Sequence, residues 1–145
     1  MKRWRTLPAM MLLAVGLVST AYAAPAGGDA GTPDLIHTYS PETQLQIFSK
    51  NLVNALKSDH EGLKAAAMGM VIRYGDQVNV KEAVIDVMHV YREHESESMR
   101  RLAIVTLGQM NSNMAIAYLE RALQFEKTPA LRQTMQAVVA AHHAG

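Results

Sequence analysis

Four side chains able to hold a metal ion or a polar ligand, Glu82, Asp86, His89 and Glu93, follow one another at intervals of four, three and four residues. On a helix that spacing gathers three carboxylates and an imidazole into one stripe, opposite Val80, Val84, Val87 and Tyr91. Two chemistries suit the row. Asp86, His89 and Glu93 could share a divalent cation, or the whole row could meet a polar partner. A solvated helix face is the plainer and commoner use of such charges. Lys64, Arg100 and Arg132 recur at matching places in three segments. They would form either a basic ladder for an anion or hydrogen bonds to carbonyls and carboxylates at turns. The second use is favoured, because a repeated position usually serves the repeat. Arg101 has no basic counterpart at Ala65 or Gln133, which makes it the better contact for a partner. Arg121 lies in an outward row of its own helix and is a further contact candidate.

Other chemistries find less support. Met68, Met70, Met110 and Met114 together with six histidines raise Cu(I) binding, which thioether and imidazole ligands suit. Their spacing makes no clustered array, however, and filling of the core is favoured, with Met70 on the apolar face. The chain has no cysteine, which excludes disulfides, thiolate metal sites and a cysteine nucleophile. No Gly-x-Ser-x-Gly, phosphate loop, His-Glu-x-x-His or dinucleotide fingerprint is present. No catalytic residue is assigned, and no cofactor is expected.

The elements that must carry these side chains are helices. Ser40-Pro41 reads as an N-cap followed by proline at the first helical position, where its missing N–H matters least, and Thr128-Pro129 repeats the signal. Asn79 with Glu82 is a candidate capping pair, and Asp59, Ser96 and Ser112 are candidate caps for three more helices. Gly75 and Asn111 stand where helices should stop. Between these marks apolar residues follow helical spacing. They are Leu45, Phe48, Leu52 and Leu56; Leu63, Ala67, Met70 and Val71; Val80, Val84, Val87, Met88 and Tyr91; Met99, Ala103 and Leu107; Ile116, Leu119 and Leu123; Leu131, Met135, Val138 and Val139. Alanines and glycines such as Ala67, Gly69, Ala103 and Gly108 would permit close helix approach.

Three segments align: Glu61 to Ala67, Glu97 to Ala103 and Pro129 to Met135. Leu63, Met99 and Leu131 occupy one position, and eight residues further on stand Val71, Leu107 and Val139. The run Ser98-Met99-Arg100-Arg101-Leu102-Ala103-Ile104-Val105-Thr106-Leu107-Gly108 resembles the first helix of a HEAT repeat, of the short kind common in bacterial proteins. The resemblance covers residues 42–143. It implies an all-α fold, a short α-solenoid of about six antiparallel helices, over residues 41–145. It also implies that the second helix of each repeat, here the first, third and fifth of the chain, lines the inner face used for partners. The third helix and its stripe would then sit on that face. The last helix begins a repeat without its following partner, so the terminal helices are candidates for contact with a second copy.

The start of the chain has a different character. Lys2, Arg3 and Arg5 precede an apolar run from Pro8 to Val18 and then Ala21-x-Ala23, the pattern of a secretory signal peptide over residues 1–23. The apolar run is about half of what a membrane span requires. Residues 24–40, rich in small residues, Gly and Pro, read as a flexible leader. The whole chain carries 14 Lys+Arg and 13 Asp+Glu. Removal of the first 23 residues takes three basic groups and no acid, which leaves 11 against 13 and a formal charge of −2. Such a balance excludes the uniformly basic surface that a nucleic-acid backbone or an anionic membrane attracts. The expectation is an extracytoplasmic, non-catalytic module, periplasmic or secreted, with a protein or peptide partner and no stable membrane anchor after cleavage. The alternative is a small extracytoplasmic metal- or ligand-binding protein that uses the acidic and histidine face.

Overall fold

The computed structural model describes residues 39–145. Among them run six α-helices: α1 (Pro41–Lys57), α2 (Glu61–Tyr74), α3 (Val84–Glu93), α4 (Glu97–Gln109), α5 (Asn113–Leu123) and α6 (Pro129–Ala144), with no strand. The all-α expectation is met. The expected signal peptide and nearly all of the expected leader lie outside the described residues. No described helix is long and apolar enough to cross a membrane.

Local chemistry explains most of the helix ends. The hydroxyls of Ser40, Ser96 and Ser112 accept from the backbone N–H groups of Thr43, Met99 and Ala115, each three residues on. Gly75 and Asn111 take positive φ, +30° and +46°, where helices stop. Two expected caps differ, and Thr128 holds the N-cap place of α6 before Pro129 without a side-chain bond. At α2 the cap is His60, not Asp59: its Nδ1 accepts from Leu63 N. Asn79 and Glu82 form no capping pair, because Lys81–Ala83 is a separate 3-10 turn and α3 begins at Val84 without a side-chain cap. Asn79 instead donates its backbone N–H to Ser49 Oγ on α1, 3.1 Å away. Thr128 does not cap α6 with its hydroxyl; its own N–H donates to Glu126 Oε1 at 2.8 Å.

The helices pack as pairs α1–α2, α3–α4 and α5–α6. The even helices also pack side by side, α2 on α4 and α4 on α6, whereas the odd helices touch one another lightly. α2 therefore closes a pair with the helix before it rather than opening one with α3, and α6 has its partner in α5. The even helices are thus the more closely packed row. Gly108 is one reason for the tightness, since a methyl group there would collide with the Val138 side chain of α6. Gly69, expected to serve the same purpose, faces open space.

One core joins all six helices. Leu56, Met68, Val71, Val80, Val84, Val87, Ile104, Leu107, Leu119, Leu131 and Met135 are fully buried. Met99 and Leu123 pack against this core without being fully covered. The inward face of α2 differs in part from the expected one, since Ala67 and Val71 are buried as the spacing predicts but Leu63 and Met70 are not. Met68 is buried, while Leu63 and Met70 are 48% and 44% exposed. Apolar residues lie all round α2, so spacing alone cannot point to its inner side.

Candidate functional site

The stripe on α3 is real as a surface feature and divided as a site. His89 and Glu93 are exposed and bonded to each other, Nδ1 to Oε1 at 3.1 Å, and Arg92 donates to the same oxygen at 3.2 Å. They line a shallow cavity with Lys64, Val90 and His94. Glu82, in the 3-10 turn, lines a different cavity with Leu45, Gln46, Ser49 and Lys50. Asp86 is half-buried between them. Among the described residues no three His, Asp or Glu side chains converge as a metal site would require, so Asp86, His89 and Glu93 do not form one. Arg101 is exposed on α4 and paired along its own helix with Glu97 at 3.2 Å. Arg121 is exposed on α5. The six candidate contacts thus divide between the odd row and α4 rather than gathering at one place.

A second group of polar residues does converge. It lies where the end of α3, the start of α4 and the α5–α6 turn meet. Tyr91, four residues after the core residue Val87, turns its ring inward and donates its hydroxyl to Glu126 Oε2 at 2.6 Å. Arg100, in the first turn of α4, donates Nε to the Tyr91 carbonyl at 2.9 Å and Nη2 to the same Glu126 oxygen at 3.2 Å. Its guanidinium carbon stands 5.5 Å from the Tyr91 ring centre. The other Glu126 oxygen accepts from Thr128 N. A single carboxylate therefore ties three stretches of chain together. It is 8% exposed, paired with Arg100 and accepts three hydrogen bonds, the condition under which a buried charge is tolerated.

The titration of these groups follows from the geometry. Burial pushes the Glu126 carboxyl upward, but hydrogen bonds from Tyr91 and Thr128 and the Arg100 charge outweigh it, so its pKa lies below the ordinary value. Burial, then the hydrogen bond and negative charge of Glu126, raise the Tyr91 phenol. Burial also raises Tyr118, with Arg92 pulling the other way. Glu126 is thus moved down and Tyr91 and Tyr118 up, each away from neutrality.

Over this clamp opens a cavity of about 370 Å³, lined by Tyr91, Arg92, Arg100, Tyr118, Phe125 and Lys127 among others. Tyr118 meets Tyr91 edge to face with ring centres 6.0 Å apart. Phe125, just past the end of α5, is 74% exposed, the most exposed large apolar side chain among the described residues. The structural use expected for the repeated basic position is realised at Arg100, which binds one carbonyl and one carboxylate. Glu126 and Phe125 fall outside the helical spacing of apolar residues. The one available cue was an aromatic placed between an acid and a helix end, in Phe125-Glu126-Lys127, where a turn has no core to fill. Of the four methionines considered for copper, Met68 and Met110 are buried, while Met70 and Met114 are exposed.

The chain matches no protein-family model, no curated protein and no solved structure.

Proposed function

We propose that this protein is an exported, non-catalytic interaction module, a short HEAT-like stack of helical pairs that holds a protein or peptide partner. The observation that carries the reading is the cavity over the Tyr91–Arg100–Glu126 clamp, with Phe125 exposed at its mouth. An exposed aromatic beside Tyr and Arg, mounted on a rigid polar network, has the composition and stiffness of an interface anchor. The motif shared by α2, α4 and α6 and the pairwise packing of the helices support the repeat reading. Export rests on the charged start, the apolar run and Ala21-x-Ala23.

Affinity capture from the envelope fraction tests the function. The native protein should retain a partner that Phe125→Ala loses while keeping its helical circular dichroism. Equal capture by both would place the functional face elsewhere. Amino-terminal sequencing tests export, since the mature protein should begin at Ala24 or Pro25. Intact Met1 protein recovered in a membrane fraction would overturn it.

A further inference from the structure

We propose that the cavity at the α5–α6 turn takes an apolar group that carries a carboxylate, held between Tyr118, Phe125 and the cations around them. This inference rests on the interaction-module reading and gives its site a ligand chemistry. Its first support is charge. Three of the lining residues are cations, Arg92, Arg100 and Lys127, of which Arg92 is paired with Glu93 at 3.2 Å, and one, Glu126, is a carboxylate. Glu126 already accepts from Tyr91, Arg100 and Thr128 and offers little to an incoming cation. Arg100 is in the opposite position. A guanidinium has five N–H donors, and the two bonds described use only part of them, with the side chain 26% exposed. Lys127 is exposed at the cavity wall. An anion therefore finds unused donors, whereas a cation meets a carboxylate that already accepts three hydrogen bonds.

The second support is the apolar surface. Phe125 and Tyr118 present aromatic area to the cavity, and neither Ala122 nor the ring of Tyr91 supplies any charge. About 370 Å³, at the low end of small-ligand sites, leaves room for one aromatic side chain or a small aromatic acid. Nucleic acid does not fit, because its backbone needs a continuous positive track rather than one compact cavity. The same chemistry has two sources, the free C-terminal carboxylate of a peptide that ends in an apolar residue, or a free aromatic acid.

The test is a nuclear magnetic resonance titration of the ¹⁵N-labelled protein with three probes. They are 3-phenylpropionate, an acetylated trialanine peptide ended by phenylalanine with a free carboxylate, and the same peptide as its amide. Both acids should shift the amides of Tyr118, Phe125 and Lys127, and the amide peptide should bind about tenfold more weakly, as loss of a charge-assisted pair implies. Lys127→Gln should remove most of that difference, and Phe125→Ala should weaken all three probes. Both side chains are exposed, so neither change should disturb folding. A peptide acid that binds well above 3-phenylpropionate points to a chain end, and equal binding points to a free acid. The proposal fails if the amide binds as well as the acid, if the shifts fall elsewhere, or if none occur at millimolar probe. A partner captured from the envelope fraction equally by the native protein and by both variants would sink this site and leave the interaction module standing. Probe binding with no captured macromolecule would keep the site and remove the module.

Discussion

Helix α3 carries polar groups on two of its faces, and the two behave differently. On the outer face His89 and Glu93 bond to each other one turn apart in water. On the inner face Tyr91 reaches a carboxylate 35 residues further along the chain, and Arg100 joins the same oxygen. The outer pairs form wherever the helix forms, and they cost little to lose because solvent replaces each partner. The inner bonds form only when α3, α4 and the α5–α6 turn have docked, and water replaces them poorly because Tyr91 and Glu126 are buried. Regular spacing marked the outer face as the candidate site, yet the inner one builds a rigid frame beneath a cavity.

The largest effect should come from the core that both faces share. Leu107→Ala removes a fully buried side chain of α4 and should cost about 2–5 kcal/mol in chemical denaturation. A loss under about half a kcal/mol would mean that α4 does not anchor α3.

Next stands the clamp. Glu126→Ala leaves the Tyr91 hydroxyl and the Thr128 N–H without a partner, and Arg100 without its charge. The expected cost is about 2–3 kcal/mol, set by hydrogen bonds to a charged group and moderated because Arg100 is partly solvated. A near-neutral result would place the inner and outer faces of α3 on one footing.

Gly108→Ala should cost about 1–3 kcal/mol, because α6 must shift or the Val138 side chain must turn to relieve the collision. Gly69→Ala, where a methyl group meets open space, should be neutral or slightly stabilising on an exposed helix position. Equal effects at the two glycines would show that the even row is no tighter at α4–α6 than at the outer side of α2.

The pH dependence sharpens the contrast. The folded pKa of Glu126 is lowered, so its contribution is present above the unfolded value of about 4.3 and is lost as pH falls through the folded value. The stability gap between the native protein and Glu126→Gln should be full at neutral pH and should close below about pH 4. A gap unchanged down to about pH 3 would mean that the carboxylate charge does not hold the clamp.

The smallest effect belongs to the outer face. Asp86→Ala combined with His89→Ala should change stability by less than about half a kcal/mol and leave the helical spectrum intact. Unfolding of the double variant would make the stripe structural.

What the amino-acid sequence determined by itself was local. Six helices, their serine caps, the stops at Gly75 and Asn111, and burial of Val84, Val87, Ala103, Leu107 and Leu119 were all legible, because capping and amphipathic periodicity act within a few residues. The inner side of α2 was not fully legible, since its apolar residues surround the helix and only docking on α1 and α4 selects Met68 over Leu63 and Met70. Neither was the pairing of α2 with α1 rather than α3, a matter of which surfaces meet. The meeting of Tyr91, Arg100 and Glu126 lies furthest from local reach. No pattern of spacing links residues 26 and 35 positions apart, and the burial that makes their bonds matter arises only when the helices pack.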